Sequence, residues 1–239
     1  MEIKKSAKEF KDENKQIKVL KEIITTISYN LDLNEILDRI LLITKEITKS
    51  DSCFLYILEE DFLILKASQN PHKEFVGRLK LKVGEGITGW VAKYKKTVCL
   101  EEAAYQDKKF KTITSLPEDK YEAFLSVPIT FGEKFIGIIN VQHIKKKKYR
   151  LDEVSLVEMI AQVVGGALER ARLISETNLL KEALETRKSV DKAKAILMRD
   201  YNFSEQEAHK LLIKKSMDKR KSLKEIAQAI ILVDELAKK

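Results

Sequence analysis

Three glycines in the middle of the sequence have the spacing with which dinucleotide-binding proteins hold a pyrophosphate at the start of a helix. In the stretch LKVGEGITGWVAKY, Gly84, Gly86 and Gly89 follow a strand-like run and precede residues that could open a helix. That chemistry needs a parallel strand–helix–strand unit around the turn. Here helical stretches and a strand hairpin come first, and a hairpin implies antiparallel neighbours. The glycines therefore predict a structural turn, which needs a positive φ and a close approach of helix to strand.

The side chains that most often act as nucleophiles, bases or metal ligands are few and scattered. Cys53 and Cys99 are isolated, without C-x-x-C spacing, and the three histidines are His72, His143 and His209. This pattern supports neither a disulfide framework nor a zinc site, so we expect no metal and no cofactor. No carboxylate constellation is visible either. The residues predict a protein that is not an enzyme, with a small reductase or hydrolase as an alternative.

Basic residues are denser towards the end of the 239-residue sequence, whose net charge is +8. From Ala171 onward there are 16 Lys and Arg against 11 Asp and Glu, whereas the first 170 residues carry 29 against 26. This distribution keeps an anionic partner under consideration without establishing one. The N-terminus has no apolar signal region, and no stretch reaches about 20 apolar residues without charge. We therefore expect a soluble cytoplasmic protein.

Alternating hydrophobicity predicts an antiparallel sheet between helices. Residues 14–50 have helical spacing, and the period then changes to that of strands. CFLYIL and FLILKAS form one predicted hairpin, and AFLSVPIT and KFIGIINVQH form a second. RLKLKV and KTVCLEE add two more strands. The predicted fold class is α+β, with the sheet followed by a long coiled-coil helix and an all-α three-helix bundle.

The helical period returns at Leu151 and continues well beyond the predicted sheet. Apolar residues recur at intervals of three and four, as in the core of a coiled coil, and we predict a connecting helix over residues 157–186. A parallel homodimer is the preferred interpretation, and a single helix covering the sheet is the alternative. Gly165 and Gly166 would allow another helix to approach closely. The predicted dimer seam is Val157, Ile160, Val164, Ala167, Ala171, Ile174 and Asn178.

The last 60 residues predict three helices, at about 180–199, 204–217 and 222–237. The last two begin with capping boxes, Ser204-x-x-Glu207 and Ser222-x-x-Glu225. A bundle of this size needs support, which fusion to the coiled coil would supply.

The order of elements over residues 15–172, after a tail at 1–14, resembles a GAF domain. The resemblance is carried by the glycine turn, by Val127-Pro128-Ile129 and by the run from Ile136 to Val141. It implies a dimerisation module or a small-molecule pocket between the sheet and the segment after the glycine turn. Cyclic-nucleotide binding is not expected, because Gln142-His143 replaces the Asn-Lys of that branch of the family. Side chains that could line the pocket are Phe54, Tyr56, Trp90, Cys99, Tyr105, Phe110 and Phe124.

Residues 180–237 resemble the ANTAR domain, an RNA-binding module of bacterial antitermination regulators. The resemblance rests on the run from Ala193 to Met198, on Ser204-Glu205-x-Glu207-Ala208 and on Ser216-Met217. Arg220 stands where the family commonly has Asn, which could alter an RNA contact. Lysine runs are often only solvated surface, and Arg187 could simply pair with Asp191. The side chains that the resemblance marks for RNA binding are Arg187, Lys188, Lys194, Arg199, Lys214, Lys215, Lys219, Arg220 and Lys221.

Together these features predict a homodimeric antitermination regulator that binds stem-loops in messenger leader RNA. The GAF domain would sense a small molecule or a partner protein. The alternative is an adaptor whose bundle binds another protein and not RNA.

Overall fold

The computed structural model describes residues 17–19, 21–25, 33–69, 73–108 and 120–237. Contacts within the chain divide it into two units, Met1–Ala171 (unit 1) and Arg172–Lys239 (unit 2). The boundary falls inside one long helix, which contributes side chains to both units. In the described ranges, no helix is long and apolar enough to cross a membrane.

Unit 1 is built on a six-stranded antiparallel sheet. Its strands are β1 (Ser52–Glu59), β2 (Phe62–Gln69), β3 (Lys80–Lys82), β4 (Val98–Leu100), β5 (Ala123–Phe131) and β6 (Lys134–His143). Residues 17–19 and 21–25 are helical, and the helices that follow are α1 (Leu33–Thr48), α2 (Gly86–Tyr94) and the first part of α3 (Leu151–Tyr201). The strand order is β3-β2-β1-β6-β5-β4, and every neighbouring pair is antiparallel. The predicted sheet and both hairpins, β1–β2 and β5–β6, are confirmed.

One face of the sheet, the α1 face, packs against α1 and the first turns of α3. Side chains alternate between the two faces along each strand, which places Leu55, Leu125 and Ile139 together here. Ile40 and Leu41 of α1 cover them, and all five side chains are fully buried. Burying each stabilises the fold by about 1.5 to 3 kcal/mol.

The opposite face, the α2 face, packs against α2. Its aromatic side chains Phe54, Tyr56 and Phe124 contact Ile87 and Val91 of that helix in a second core cluster. The glycine turn therefore brings α2 close to the sheet.

Each glycine of that turn is needed for a backbone reason, as predicted. Gly84 and Gly86 have φ values of +90° and +67°, which L side chains rarely adopt. A Cβ on Gly89 would lie 2.5 Å from the carbonyl oxygen of Lys82. The N–H of Gly84 donates to the carbonyl of Gly89 at 2.7 Å, which closes the turn. The turn joins β3 to α2 in a sheet whose neighbouring strands are all antiparallel, so it lacks the parallel unit that a dinucleotide site requires.

Gly165 of α3 allows the helix to approach the sheet, where the sequence had indicated a second helix. A Cβ on Gly165 would clash with the carbonyl oxygen of Thr130 in β5. A Cβ on the neighbouring Gly166 would meet only a ring carbon of Phe131, at 4.0 Å. The two glycines are therefore adjacent but differ in what surrounds them.

Replacing Gly165 with Ala is expected to lower the free energy of unfolding by about 1 to 3 kcal/mol, because the helix must move away from β5. Gly166→Ala, the matched control, should raise it by up to about 1 kcal/mol through better helix propensity. Urea unfolding followed by the fluorescence of Trp90, the sole tryptophan, reports on unit 1. Equal stability of the two variants would contradict the close approach of α3 to β5.

Unit 2 contains the end of α3 together with α4 (Glu205–Lys219) and α5 (Leu223–Ala237). Both predicted capping boxes are present. The N–H of Ser204 donates to Glu207 Oε2 at 2.8 Å, and the N–H of Ser222 donates to Glu225 Oε2 at 2.8 Å. The three helices meet around small, fully buried side chains, which permit close packing: Ala193, Ala208 and Ala227.

Candidate functional site

The basic side chains predicted to bind RNA divide into those held by carboxylates and those that are not. Lys194 belongs to the first group, since its Nζ lies 2.9 Å from Asp191 Oδ1 and 2.8 Å from Glu205 Oε1. Only 16% of its side chain is exposed. Glu205 and then Asp191 raise the pKa of Lys194 by hydrogen bonding to its ammonium group. Lys194 therefore joins α3 to α4, and its charge is already neutralised.

Arg199 is held in a similar way and joins α3 to α5. Its Nε and Nη2 donate to the two carboxylate oxygens of Asp200 at 2.6 and 2.9 Å, and Nη2 also donates to Asp234. The hydrogen bonds to Asp200 and Asp234 raise the pKa of the guanidinium group. Asp234 is buried, so removing Arg199 would take a cationic partner from a buried carboxylate.

Arg187 and Lys221 each form a loose ion pair with a described carboxylate. Arg187 Nε lies 3.9 Å from Asp191 Oδ2 with 83% of its side chain exposed, and Lys221 Nζ lies 3.7 Å from Glu225 Oε1. Exposed pairs of this kind contribute about 0 to 1 kcal/mol, so either side chain can turn to a different anion.

Four lysines on α3 and α4 form the second group, in which no carboxylate of the described residues lies within ion-pair distance, and they are all exposed. Within the described residues, none of the four forms an ion pair. Three of them lie on α4 within little more than one turn of helix, where they form a compact positive surface. The four are Lys188, Lys214, Lys215 and Lys219.

Arg220 occupies a backbone position that suits the Asn expected there from the ANTAR resemblance. It ends α4 in the left-handed conformation, with φ 52° and ψ 40°, and its N–H donates to the carbonyl of Met217 at 3.2 Å. Asn tolerates this conformation better than most residues. The departure at Arg220 therefore concerns a helix cap, and its exposed side chain adds positive charge beside α4.

The residues predicted to line a small-molecule pocket are only partly brought together. Phe54, Tyr56 and Phe124 share the α2 face, and Trp90 packs half-buried against the same cluster. Tyr105 is half-buried in a short 3-10 turn at Ala104–Gln106. Phe110 lies outside the described residues.

The prediction that Cys99 shares this pocket is wrong. Cys99 pairs in register with Leu125, and Leu125 belongs to the α1 face. Neighbours directly opposite each other in adjacent strands point to the same face, so Cys99 points away from Phe124. The side chain is exposed at the β4 edge of the sheet.

Sequence reasoning missed a set of polar side chains on the α2 face. Ser126 Oγ donates to Asn140 Oδ1 at 2.7 Å, and Asn140 Nδ2 donates to Thr88 Oγ1 at 2.8 Å. One row further along the sheet, Ser52 and Gln142 lie opposite each other, and their buried Oγ and Oε1 atoms have no hydrogen-bond partner among the residues that the structure describes. Asn140 and Gln142, alternating within the apolar run of β6, were the signal that could have revealed this cluster.

The two thiols lie on separate strands, and the buried histidine of the described residues, His143, is held by hydrogen bonds. Partial desolvation, with a smaller effect from Glu101, raises the pKa of the exposed Cys99 to about 11, and full burial raises the pKa of Cys53 as well. Two strands lie between β1 and β4, which puts the thiols on the order of 14 Å apart. His143 has both ring nitrogens engaged, by the hydroxyl of Tyr149 at 3.0 Å and the carbonyl of Thr48 at 3.2 Å. In the described ranges, no cluster of His, Cys, Asp and Glu could hold a metal ion.

The first part of the predicted dimer seam has a different partner from the one predicted. Val157, Ile160, Val164 and Ala167 of α3 are buried within the single chain, and the first three belong to the core on the α1 face. The prediction that they form a dimer seam is wrong, because the chain's own sheet already covers them. Ala171 is half-buried, whereas Ile174 and Asn178 are exposed.

Family models match the two parts of the chain in the predicted order. A GAF domain model matches residues 30–169, and an ANTAR domain model matches residues 178–231.

Two curated relatives and one solved structure extend this comparison. The chain is 26% identical over 220 residues to the dual 3',5'-cyclic-AMP and -GMP phosphodiesterase 11A of Takifugu rubripes, which covers 84% of this chain and 23% of that protein. It is 38% identical over 87 residues to the nitrate regulatory protein of Klebsiella oxytoca, covering 36% of this chain and 21% of that protein. The chain thus spans less than a quarter of the length of either relative.

The GAF domain of a phosphoenolpyruvate-protein phosphotransferase from Coxiella burnetii has the same fold as unit 1. It superposes with a TM-score of 0.64 at 24% identity, and the match covers 67% of this chain and 96% of that chain.

Proposed function

Because the chain belongs to the GAF domain family and carries an ANTAR domain after its GAF domain, we propose that it is an antitermination regulator that binds stem-loops in messenger leader RNA. The observation that carries this proposal is the surface formed by Lys214, Lys215 and Lys219. These ammonium groups have no carboxylate partner among the described residues, so they can neutralise phosphates without first breaking an ion pair. The nitrate regulatory protein, a relative by sequence, supports a regulatory role.

We further propose that the chain acts as a parallel homodimer through an exposed stripe on α3. The α3 stripe consists of Leu173, Thr177, Leu180 and Leu184, spaced by four, three and four residues as in a coiled-coil core. Its leucines are between 47% and 66% exposed in the single chain. Two bundles held on one dimer would face two stem-loops, so the second contact becomes intramolecular.

The proposed signal enters at the GAF domain. Ser52 Oγ and Gln142 Oε1 are buried polar atoms on the α2 face, and such atoms are stabilised by a hydrogen-bonding occupant. The neighbouring side chains Ser126, Asn140 and Thr88 are uncharged hydroxyl and amide groups, which favours a small uncharged polar molecule. Mass spectrometry of molecules released from the purified protein would identify it.

The proposal does not include an enzymatic activity. The pKa values of the Cys53 and Cys99 thiols support this omission. Both are raised, which disfavours the thiolate that a reductase needs. The similarity to a phosphodiesterase extends over only 23% of that protein.

The experiment that tests RNA binding uses the full chain and a pool of stem-loop RNAs with a constant stem and a randomised loop. We expect the protein to enrich particular loops, with an affinity that falls roughly 30-fold when the salt concentration rises fourfold, as for three phosphate contacts. Sequencing the RNAs that a filter retains with the protein measures the enrichment of loops. Repeating the filter binding at several salt concentrations measures the fall in affinity. A protein that retains no stem-loop at low salt would overturn the proposal and favour the protein-interaction adaptor.

A further inference from the structure

An open groove lies between the three helices of unit 2, and its volume is about 750 Å³. This is within the range of about 300 to 1,000 Å³ that is typical of small-molecule pockets. The floor consists of core side chains such as Leu197 and Leu212. Ile230 and Val233 of α5 form one wall, so the interior of the groove is mostly apolar.

An aromatic pair stands at the junction of α3 and α4, where the groove begins. The rings of Tyr201 and Phe203 are stacked, with centroids 5.8 Å apart and an angle of 25° between planes. Asn202 between them follows the last residue of α3 and has φ 55°, the left-handed conformation that commonly ends a helix. Phe203 packs into the core, but Tyr201 is 66% exposed. Tyr201 therefore presents an aromatic ring at the lining of an apolar groove.

The polar groups of the groove differ between its walls. Lys215 and Lys219, one helical turn apart on α4, line the groove and have no ion pair with any described residue. Asp200 and Asp234 also line it, and Arg199 binds both of these carboxylates. The unneutralised charge is thus positive and lies on the α4 wall.

We propose that this groove accepts an unpaired base of the RNA loop, with Tyr201 stacking on the base and Lys215 and Lys219 holding the adjacent phosphates. The inference rests on the proposed function and adds a specific site for base recognition. Apolar walls with an exposed aromatic ring match the faces of a base, and the two lysines match the backbone that must accompany it. A helix of a protein partner would use the same apolar walls but would leave both ammonium groups without phosphates.

The test fills the groove without disturbing the core. Ala229 lines the groove from α5 and is exposed, so Ala229→Trp places an indole in the space for the base. The matched control is Gln228→Trp, at the neighbouring exposed position that does not line the groove. The probe is the tightest-binding stem-loop selected from the randomised pool by the parent protein, with each loop base removed in turn to give an abasic site.

Ala229→Trp is expected to weaken binding of this RNA roughly 10- to 100-fold, the loss expected for one stacked base. The salt dependence should stay that of the parent, because no phosphate contact is lost. One abasic site should weaken binding to the parent by the same factor and have no further effect on Ala229→Trp, since both changes remove one interaction. Gln228→Trp should bind like the parent.

Tyr201→Leu gives a second measurement if Ala229→Trp folds poorly by circular dichroism. It should weaken binding to a similar extent, while Tyr201→Phe, which keeps the ring, should not. Binding of Ala229→Trp at the affinity of the parent, or independent effects of Ala229→Trp and every abasic site, would overturn the groove as a base site while RNA binding itself stands. If the parent selects no stem-loop from the pool, both the groove site and the proposed function are overturned.

Discussion

Replacing Leu180 and Leu184 with Asp is expected to convert the protein from a dimer into a monomer, and to weaken binding to an RNA with two adjacent stem-loops about 100-fold or more. Both leucines lie on the α3 stripe and are more than half exposed in the single chain. Four aspartates facing one another across the dimer would bury unpaired charge, which the coiled coil cannot accommodate. Affinity for a single stem-loop should remain that of the parent, since one bundle binds one stem-loop. Light scattering and the two dissociation constants provide the measurements.

A neighbouring leucine supplies the control for this variant. Leu179 is 65% exposed, against 66% for Leu180, but it lies about 100° away around the helix and outside the α3 stripe. Leu179→Asp should therefore stay dimeric. A double variant that remains dimeric, or an equal effect of Leu179→Asp, would show that the α3 stripe is not the interface.

The structure also determines which seam substitutions are informative. Ile160 and Ile174 both satisfy the periodicity of the predicted seam, but Ile160 is fully buried against the chain's own sheet. An aspartate at Ile160 would unfold unit 1 and could not report on association. Periodicity alone cannot separate these cases, because a helix covering a sheet and a helix in a coiled coil both need apolar residues at intervals of three and four.

Short sequence motifs predicted the helix starts and the glycine turn well, because these features depend on residues only a few positions apart. The capping boxes at Ser204 and Ser222 and the turn at Gly84 depend on neighbours in sequence, and the structure has all of them. The face of Cys99 could not be predicted, because it depends on pairing with Leu125, which is 26 positions away in the sequence.

The role of Lys194 could likewise be read only in part from the sequence. The sequence suggested that Asp191 pairs with Arg187, but Asp191 lies closer to Lys194, and Glu205 reaches Lys194 from α4, where only the fold brings it. The sequence thus showed where basic side chains are concentrated. It did not show which of them are already paired with a carboxylate.

Replacing Lys214, Lys215 and Lys219 together with Ala is expected to weaken RNA binding roughly 100-fold near physiological salt, and to reduce the slope of log affinity against log salt by about 2 to 3. Each lost phosphate contact accounts for about 0.7 to 0.9 of that slope. The three side chains are exposed and have no carboxylate partner in the described part of the chain, so the fold should be retained. Salt titrations of stem-loop binding measure the slope directly.

Two comparison variants separate local contacts from net charge and from stability. Replacing Lys96, Lys145 and Lys148 of unit 1 with Ala removes the same charge from exposed positions elsewhere, and it should leave the slope unchanged. Lys194→Ala should lower the thermal midpoint of unit 2, because it breaks the link between Asp191 and Glu205, while the slope stays that of the parent. An equal loss of slope in the unit 1 variant would mean that net charge alone drives binding. A reduced slope for Lys194→Ala would mean that Lys194 leaves its two carboxylates to contact a phosphate when RNA binds.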